Sequence, residues 1–245
     1  MSLIYGVNPV KEAIASNKTI NKIYGIKGNN DVYEILKLAQ SKGIVTVFAD
    51  KIKLDKMISE EGQKFKNSQG IVASITEYKY FEVQDILDYA AQKGEPPFIM
   101  VLDKIEDPHN LGAIIRSAEC MGAHGVIIQK RNAAVVTEIV EKTAAGATSY
   151  MRVAKVTNIT QTIKDLKKEG IWVYGLDMAG DVIYNVDLKG PIAIVVGNEG
   201  KGISRLVLEN CDGVLSIPMY GNIESLNASV SAAIAMYEVK RQNKM

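Results

Sequence analysis

The sequence is poor in the residues from which many active sites are built. It has two cysteines, Cys120 and Cys211, and two histidines, His109 and His124, in 245 residues. Neither cysteine has a partner at ligand spacing, so no metal site is suggested and both thiols are expected to be reduced. Charge of one sign is lacking too: 29 basic residues face 28 acidic ones, a formal net charge of +1. The total therefore neither favours nor excludes a nucleic acid. No apolar run reaches the length that spans a bilayer, and nothing at the start reads as a signal peptide. A cytoplasmic protein with no membrane partner is expected. Internal repeats and low-complexity segments are absent.

What is present is apolar residue in quantity, 47 % of the chain, enough for a sizeable core in one large or two ordinary domains. All five arginines, Arg116, Arg131, Arg152, Arg205 and Arg241, lie at or beyond position 116. Arginine suits phosphate because its planar fork pairs with two oxygens at once. Residues 1–76 read as a compact α/β unit. Asn8-Pro9 starts a helix with Pro9 at its first position, and strands follow over 20–26, 44–48 and 70–75 with helices between. Residues 77–97 read as a connection holding one helix, broken by Lys93-Gly-Glu-Pro-Pro97. From 98 to 245 strands and helices alternate as in a parallel sheet covered on both faces, with one strand expected over 171–176 and a long last helix over 226–240.

The second half is organised around Pro191-Ile-Ala-Ile-Val-Val-Gly-Asn-Glu-Gly-Lys-Gly-Ile-Ser204. An apolar run of the kind that forms a buried parallel strand stops at Gly197, and two more glycines follow at 200 and 202. Glycine lets the backbone turn tightly and approach a ligand closely. Ligands of open α/β sheets bind at the carboxyl ends of strands. A small molecule held largely by main-chain groups is expected at Gly197.

Two further segments share this grammar of strand, loop and helix. One is Asp103 followed by Asn110-Leu-Gly-Ala-Ile-Ile-Arg116. The other is Leu215-Ser-Ile-Pro-Met-Tyr-Gly-Asn-Ile-Glu-Ser-Leu-Asn-Ala-Ser-Val230. In order and spacing the three resemble the signature motifs of the SpoU (TrmH-like) RNA ribose 2′-O-methyltransferases, over roughly residues 98–240. Ile4-Tyr-Gly-Val-Asn-Pro-Val-Lys-Glu-Ala13 and Gln69-Gly-Ile-Val-Ala73 resemble the ribosomal-protein-like RNA-binding domain that precedes the catalytic domain in many members. Many of these have histidine where Ser68 stands. The resemblance implies an α/β parallel-sheet methyltransferase domain of the SPOUT type with a deep trefoil knot, where sequence pattern alone predicts a plain doubly wound sheet. It also implies S-adenosyl-L-methionine as cofactor, structured RNA as substrate, no metal, and a homodimer with the active site near the subunit interface.

Residue by residue, the resemblance makes Arg116 the first candidate for catalysis. It would grip the phosphate beside the target ribose, orient the 2′-hydroxyl and assist its deprotonation through that phosphate. The plainer reading is an exposed ion pair with Glu119, three residues on. Asn110 would bind the ribose or Arg116; it could equally cap its helix. Glu199 would orient the nucleotide or fix an opposing arginine, or it is a solvated loop charge. Ser225 and Asn227 would lie near the reacting ribose, though Ser225 could merely cap the last helix. His109, Asn198, Lys201 and Ser229 are lesser candidates. Backbone groups of Gly197, Ile217 and Leu226 would read the cofactor adenine, with Leu176 a further wall of the pocket.

The favoured function is methyl transfer to a ribose 2′-hydroxyl of structured RNA. Ribosomal RNA is preferred, a 23S guanosine first, because the front domain resembles that of the 23S guanosine enzyme. Alternatives are a transfer-RNA 2′-O-methyltransferase and a non-catalytic RNA-binding ribosome-assembly protein. A nicotinamide-binding Rossmann enzyme fits poorly: the Gly197 loop lies late in the chain, and no acidic residue follows at the usual distance.

Overall fold

The computed structural model describes residues 2–15, 20–60, 67–75, 78–223 and 225–243. Two compact units divide the chain, Met1–Lys79 and Tyr80–Met245.

In the first unit β1 (Ser2–Tyr5), α1 (Val7–Ala15), β2 (Ile20–Gly25), α2 (Asn30–Ser41), β3 (Thr46–Phe48), α3 (Lys51–Glu60) and β4 (Ile71–Ile75) follow in sequence. The sheet order is β1-β4-β2-β3. Strand β1, four residues long, was not expected from the pattern; it pairs antiparallel with β4 at the sheet edge. Pro9 stands third in α1 rather than first. Within the first turn its missing N–H still breaks no intrahelical bond. Val10, Ala13 and Ile14 of α1 meet Val32, Ile35, Leu36 and Ala39 of α2 in one core cluster. The two segments with family resemblance touch: the Val7 N–H donates to Gln69 Oε1 at 2.9 Å, and the Gly6 N–H to the Ile71 carbonyl at 3.1 Å. Gln69 and Gly70 both have positive φ, +50° and +79°. Ser68 is fully buried, its Oγ accepting from the Gly70 N–H at 3.3 Å, so it shapes the turn rather than facing outward.

The second unit begins with α4 (Val83–Lys93), whose Ile86 sits in this unit's core. The helix placed in a connection by sequence thus packs with the second unit: apolar spacing gave it a buried face, and this sheet covers it. After it come β5 (Phe98–Asp103), α5 (Pro108–Cys120), β6 (Gly125–Gln129), α6 (Glu138–Thr143), β7 (Arg152–Val156), α7 (Ile159–Lys168), β8 (Trp172–Val182), β9 (Ile192–Gly197), α8 (Arg205–Leu208), β10 (Gly213–Ser216) and α9 (Ala228–Gln242). Six parallel strands form one sheet in the order β10-β8-β9-β5-β6-β7. β5 and β9 read as continuous apolar runs because both faces are covered. Ile99, Val101, Ile127, Ala154, Val173, Ala193 and Val195 point to one face, against Ile86 of α4, Ile163 of α7 and Val207 of α8. The alternate residues point to the layer of α5, α6 and α9, which pack on one another. Gly112 permits the close approach of α5 and α6: a Cβ there would meet Thr143 Cβ at 2.6 Å and the Val140 carbonyl at 2.9 Å.

Strand β8 runs six residues beyond the expected end at Leu176. Its second half sets Asp177, Gly180 and Asp181 among the exposed or half-exposed Met178, Ala179 and Val182, so no buried apolar run marks it. Gly180 lets β10 approach: a Cβ on it would lie 2.5 Å from the Val214 carbonyl group.

Candidate functional site

The carboxyl ends of β5, β9 and β10 lead into the three singled-out loops. Register aligns Asp103 of β5 with Gly197 of β9, so the first two loops leave the sheet side by side. Asp103 is completely buried and holds the second loop down. Its Oδ2 accepts from the Ser204 N–H at 2.6 Å and from the Ser204 hydroxyl. Its Oδ1 has no partner among the described residues. The loop between, residues 198–203, folds back on itself. The Gly202 N–H donates to the Asn198 carbonyl at 2.8 Å, and a Cβ on Gly197 would overlap the backbone of Gly202 and Ile203. Asn198 fixes the turn from inside, accepting from the Gly200 N–H at 2.9 Å and donating to the Lys104 carbonyl at 3.1 Å.

Helix α5 is capped by Asp107, whose carboxylate accepts from the His109 N–H at 2.9 Å, with Pro108 as its first residue. Capping is thus not the task of Asn110, whose side chain is released for tertiary contacts. Asn110 is 7 % exposed. Its Nδ2 donates to Glu199 Oε1, and its Oδ1 accepts from Asn227 Nδ2 at 3.0 Å. One amide therefore joins the loop of the second motif to that of the third. Asn227 is also the cap of α9, its Oδ1 accepting from the Ser229 N–H at 2.9 Å and the Ser229 hydroxyl at 2.6 Å. Ser225 is not the cap. The last helix starts at Ala228, two residues later than the apolar spacing suggests. Ser225 and Leu226 are left to line a cleft.

That cleft has a volume of about 390 Å³, within the range of small-molecule sites. Of the expected cofactor residues, Leu176, Gly197, Ile217 and Leu226 all line it, as do Glu199 and Ser225. Asp177 and Met178, which sequence reasoning missed, line it as well. They stand where β8 continues past its expected end, and no sequence signal marks that continuation. The buried anchoring role of Asp103 had one sequence signal: an acidic residue closing a wholly apolar strand. The lining suits an adenosine-bearing ligand. Leu176, Val196, Ile217 and Leu226 share the lining with Gly197, Gly200 and Gly202, and the overlap at Gly197 shows that the loop has no room for a larger residue.

Arg116 stands apart from this arrangement. It is exposed on α5, six residues and about 9 Å along the helix axis beyond Asn110, on a different face. The anticipated ion pair with Glu119 is absent: among the described residues Arg116 has no hydrogen bond or ion pair. Its helix carries Ala113 and Ser117 beside Val230, Ile234 and Tyr237 of α9, and these five line a shallow exposed depression. Among the described residues no group of three His, Cys, Asp or Glu side chains is placed to hold a metal. Cys211 is no candidate nucleophile, because burial pushes its thiol up to about 12. No helix among the described residues is long and apolar enough to cross a membrane.

Comparison with known proteins bears on both units. Residues 97–237 match the SpoU rRNA Methylase family, and residues 3–81 match the RNA 2′-O ribose methyltransferase substrate-binding domain. The chain is 41 % identical over 244 residues, 98 % of its length and 95 % of the relative's, to YacO of Bacillus subtilis (strain 168), assigned by name to the TrmH family of tRNA/rRNA methyltransferases. It is 40 % identical over 246 residues to an uncharacterized tRNA/rRNA methyltransferase of Mycobacterium sp. (strain KMS), covering 99 % of this chain and 77 % of that one. Among solved structures, the SpoU methyltransferase AviRb of Streptomyces viridochromogenes, in complex with AdoMet, superposes with a TM-score of 0.61 at 24 % identity, over 98 % of this chain and 89 % of that one. A TrmH/SpoU tRNA modifying enzyme of A. aeolicus gives a TM-score of 0.55 at 29 % identity, over 60 % of this chain and 76 % of that one.

Proposed function

We propose, for a chain that belongs to the SpoU rRNA methylase family, the transfer of a methyl group from S-adenosylmethionine to a ribose 2′-hydroxyl of structured RNA. The observation that carries this reading is the Glu199–Asn110–Asn227 hydrogen-bond chain, which closes three distant segments around one cleft.

The cofactor supplies an activated methyl group on a sulfonium. The backbone of Gly197, Ile217 and Leu226 holds its adenine edge, with Leu176 as a wall. A ribose hydroxyl is a weak nucleophile at neutral pH, so alignment and removal of its proton are what the protein must provide. Glu199 and Ser225, which line the cleft, position the ribose together with Asn227, and Asn110 holds Glu199 and Asn227 in register. A guanidinium holds its proton too strongly to act as a base by itself, so Arg116 serves as a clamp. It grips the phosphate next to the target ribose and, through that phosphate, assists loss of the hydroxyl proton. Its distance from Asn110 along α5 fits a homodimer in which the depression between α5 and α9 is covered by a second copy. Val230, Ile234 and Tyr237 then cease to be exposed. In this reading the C-terminal part of the second unit is threaded as a knot, and the first unit holds the RNA.

Ribosomal RNA, with a 23S guanosine first, is the substrate we favour. Transfer RNA is the second reading, supported by the A. aeolicus relative that modifies tRNA and matches 60 % of this chain. Purified protein incubated with S-adenosylmethionine and unmodified ribosomal or transfer RNA tests both. The expected product is a 2′-O-methyl nucleotide that blocks alkaline cleavage at one position. A methyl group found on a base, or no transfer to either RNA, overturns the reading.

A further inference from the structure

Away from the cleft, the carboxyl ends of β6 and β7 gather cations that no step above uses. Lys155 of β7 stands opposite Ile128 of β6 in the parallel register. Lys130 lies two residues beyond Ile128 and so shares its face. The Lys130 N–H donates to the Val156 carbonyl at 2.8 Å and keeps the two strand ends together. That face is the one carrying α5 and α6, because the neighbouring Ile127, Ala154 and Val156 point to the opposite core. The Lys155 ammonium lies 4.5 Å from the centre of the Tyr80 ring. The ring is fixed in turn, its hydroxyl accepting from the Val136 N–H at 2.9 Å. Arg131 follows Lys130 and is exposed.

Among the described residues none of these three cations makes an ion pair. Burial against its surroundings, and secondly the charge of Lys130, push the Lys155 pKa down, with no carboxylate acting in the other direction. Like charges held together without a counter-charge are unfavourable, and an anion between them reverses the sign of the interaction. The cluster also lies on the same end of the sheet as the cleft. β7 is three strands from β9, roughly 14 Å at the usual strand spacing. A small anion would fill the cluster alone; a polyanion would reach both places.

We propose that Lys130, Arg131 and Lys155, with Tyr80 as their platform, form a phosphate-binding surface for the RNA backbone flanking the modified nucleotide. The surface rests on the reading of the protein as an RNA methyltransferase, and positions substrate without touching the reacting atoms.

The test uses the full chain with Lys130, Arg131 and Lys155 each replaced by Gln. Binding to transcripts of 23S ribosomal RNA and of a transfer RNA is measured without cofactor across a range of salt. The expected result is a loss of affinity of at least about tenfold for both RNAs near physiological salt, since phosphate contacts carry no sequence. The slope of log Kd against log salt should shrink by about 2. S-adenosylmethionine affinity should be unchanged, and Lys130→Gln alone should melt no lower than wild type because it removes a repulsion. Lys155→Arg, which keeps the charge, should retain wild-type binding. An unchanged affinity and slope in a folded triple variant overturns the proposal, as does equal loss on Lys155→Arg. Methyl transfer by the wild type is scored separately. If it is absent while the slope shrinks, the catalytic reading falls and the surface stands. If it is present while the slope does not move, the surface falls alone.

Discussion

The two ends of the parallel sheet in the second unit use the same side-chain chemistry to opposite effect. At the carboxyl end, Asn110 and Asn227 tie loops together yet leave Glu199, Ser225 and the backbone of Gly197 facing an open cleft. At the amino end, asparagine and glutamine close everything they touch. Asn243 donates to the Leu188 carbonyl at 2.7 Å and accepts from the Gly190 N–H at 3.0 Å. Gln242 accepts from the Leu188 N–H at 2.9 Å and donates to the Val186 carbonyl at 3.0 Å. His124, 1 % exposed, accepts from the Phe98 N–H through Nδ1 at 3.0 Å and meets Glu95 through Nε2 at 3.0 Å. Helix α9 is thus held at both ends by amides. An amide whose partners are all backbone, as those of Asn243 are, is fixed and inert. One whose partner is another side chain at the rim of a cleft can exchange it for a ligand.

Four outcomes break or sharpen that contrast, and the largest belongs to the open end. Arg116→Ala should lower methyl transfer at least about a hundredfold, the scale of losing a positioned group in proton transfer, with S-adenosylmethionine affinity within about twofold. Single-turnover rates and calorimetric titration of the cofactor check it; an unaffected rate removes Arg116 from its role. Asn110→Ala should cut the rate by about tenfold to a hundredfold while sparing the fold, because it unlinks Glu199 from Asn227 and disturbs alignment by a small displacement. If melting falls as steeply as the rate, Asn110 belongs with the inert end instead.

Asn243→Ala tests the closed end. It strands the Gly190 N–H and the Leu188 carbonyl, and should cost about 1–3 kcal/mol in urea denaturation while the turnover number stays put. A changed turnover number in the folded variant would mean that the two ends are coupled through α9. The smallest effect concerns His124. Burial pushes its pKa below the usual imidazole value, against the opposing pull of Glu95. The unfolded chain, titrating near about 6.5, takes up the proton first. The contribution of His124 to stability is therefore complete above about pH 6.5 and is lost as pH falls below it. Wild type should lose more of its urea midpoint than His124→Gln between about pH 7.5 and 5.5; equal losses would clear His124 of any part.

Much of this was legible in the residues. The apolar runs of β5 and β9 announce a parallel sheet, the Gly197 loop announces a backbone-lined pocket, and the four cofactor residues expected from the family pattern share that pocket. Side-chain partners were less legible. Asn110 looked like a helix cap because Asn favours caps, but Asp107 lies closer to the true start and takes the bond. Ser225 lost the same contest to Asn227. The second half of β8 escaped notice because a half-exposed stretch holding two aspartates and a glycine carries no strand signature, although that segment brings Asp177 and Met178 to the cleft. The ion pair drawn from the three-residue spacing of Arg116 and Glu119 is absent. Spacing on a helix permits such a pair but contributes only a few tenths of a kcal/mol to it.

Taken alone, the sequence indicated most of the strands and helices, though not β1, and the three loops where ligands would sit. Those follow from local rules, since hydrophobic period and glycine act within a few residues of themselves. Tertiary structure alone decided which amide meets which carboxylate, that Asp103 anchors Ser204 across 101 positions of chain, and that Lys130 and Lys155 share a face without a counter-charge. Such pairings depend on strand order and register, which a linear pattern of apolar and polar residues does not encode.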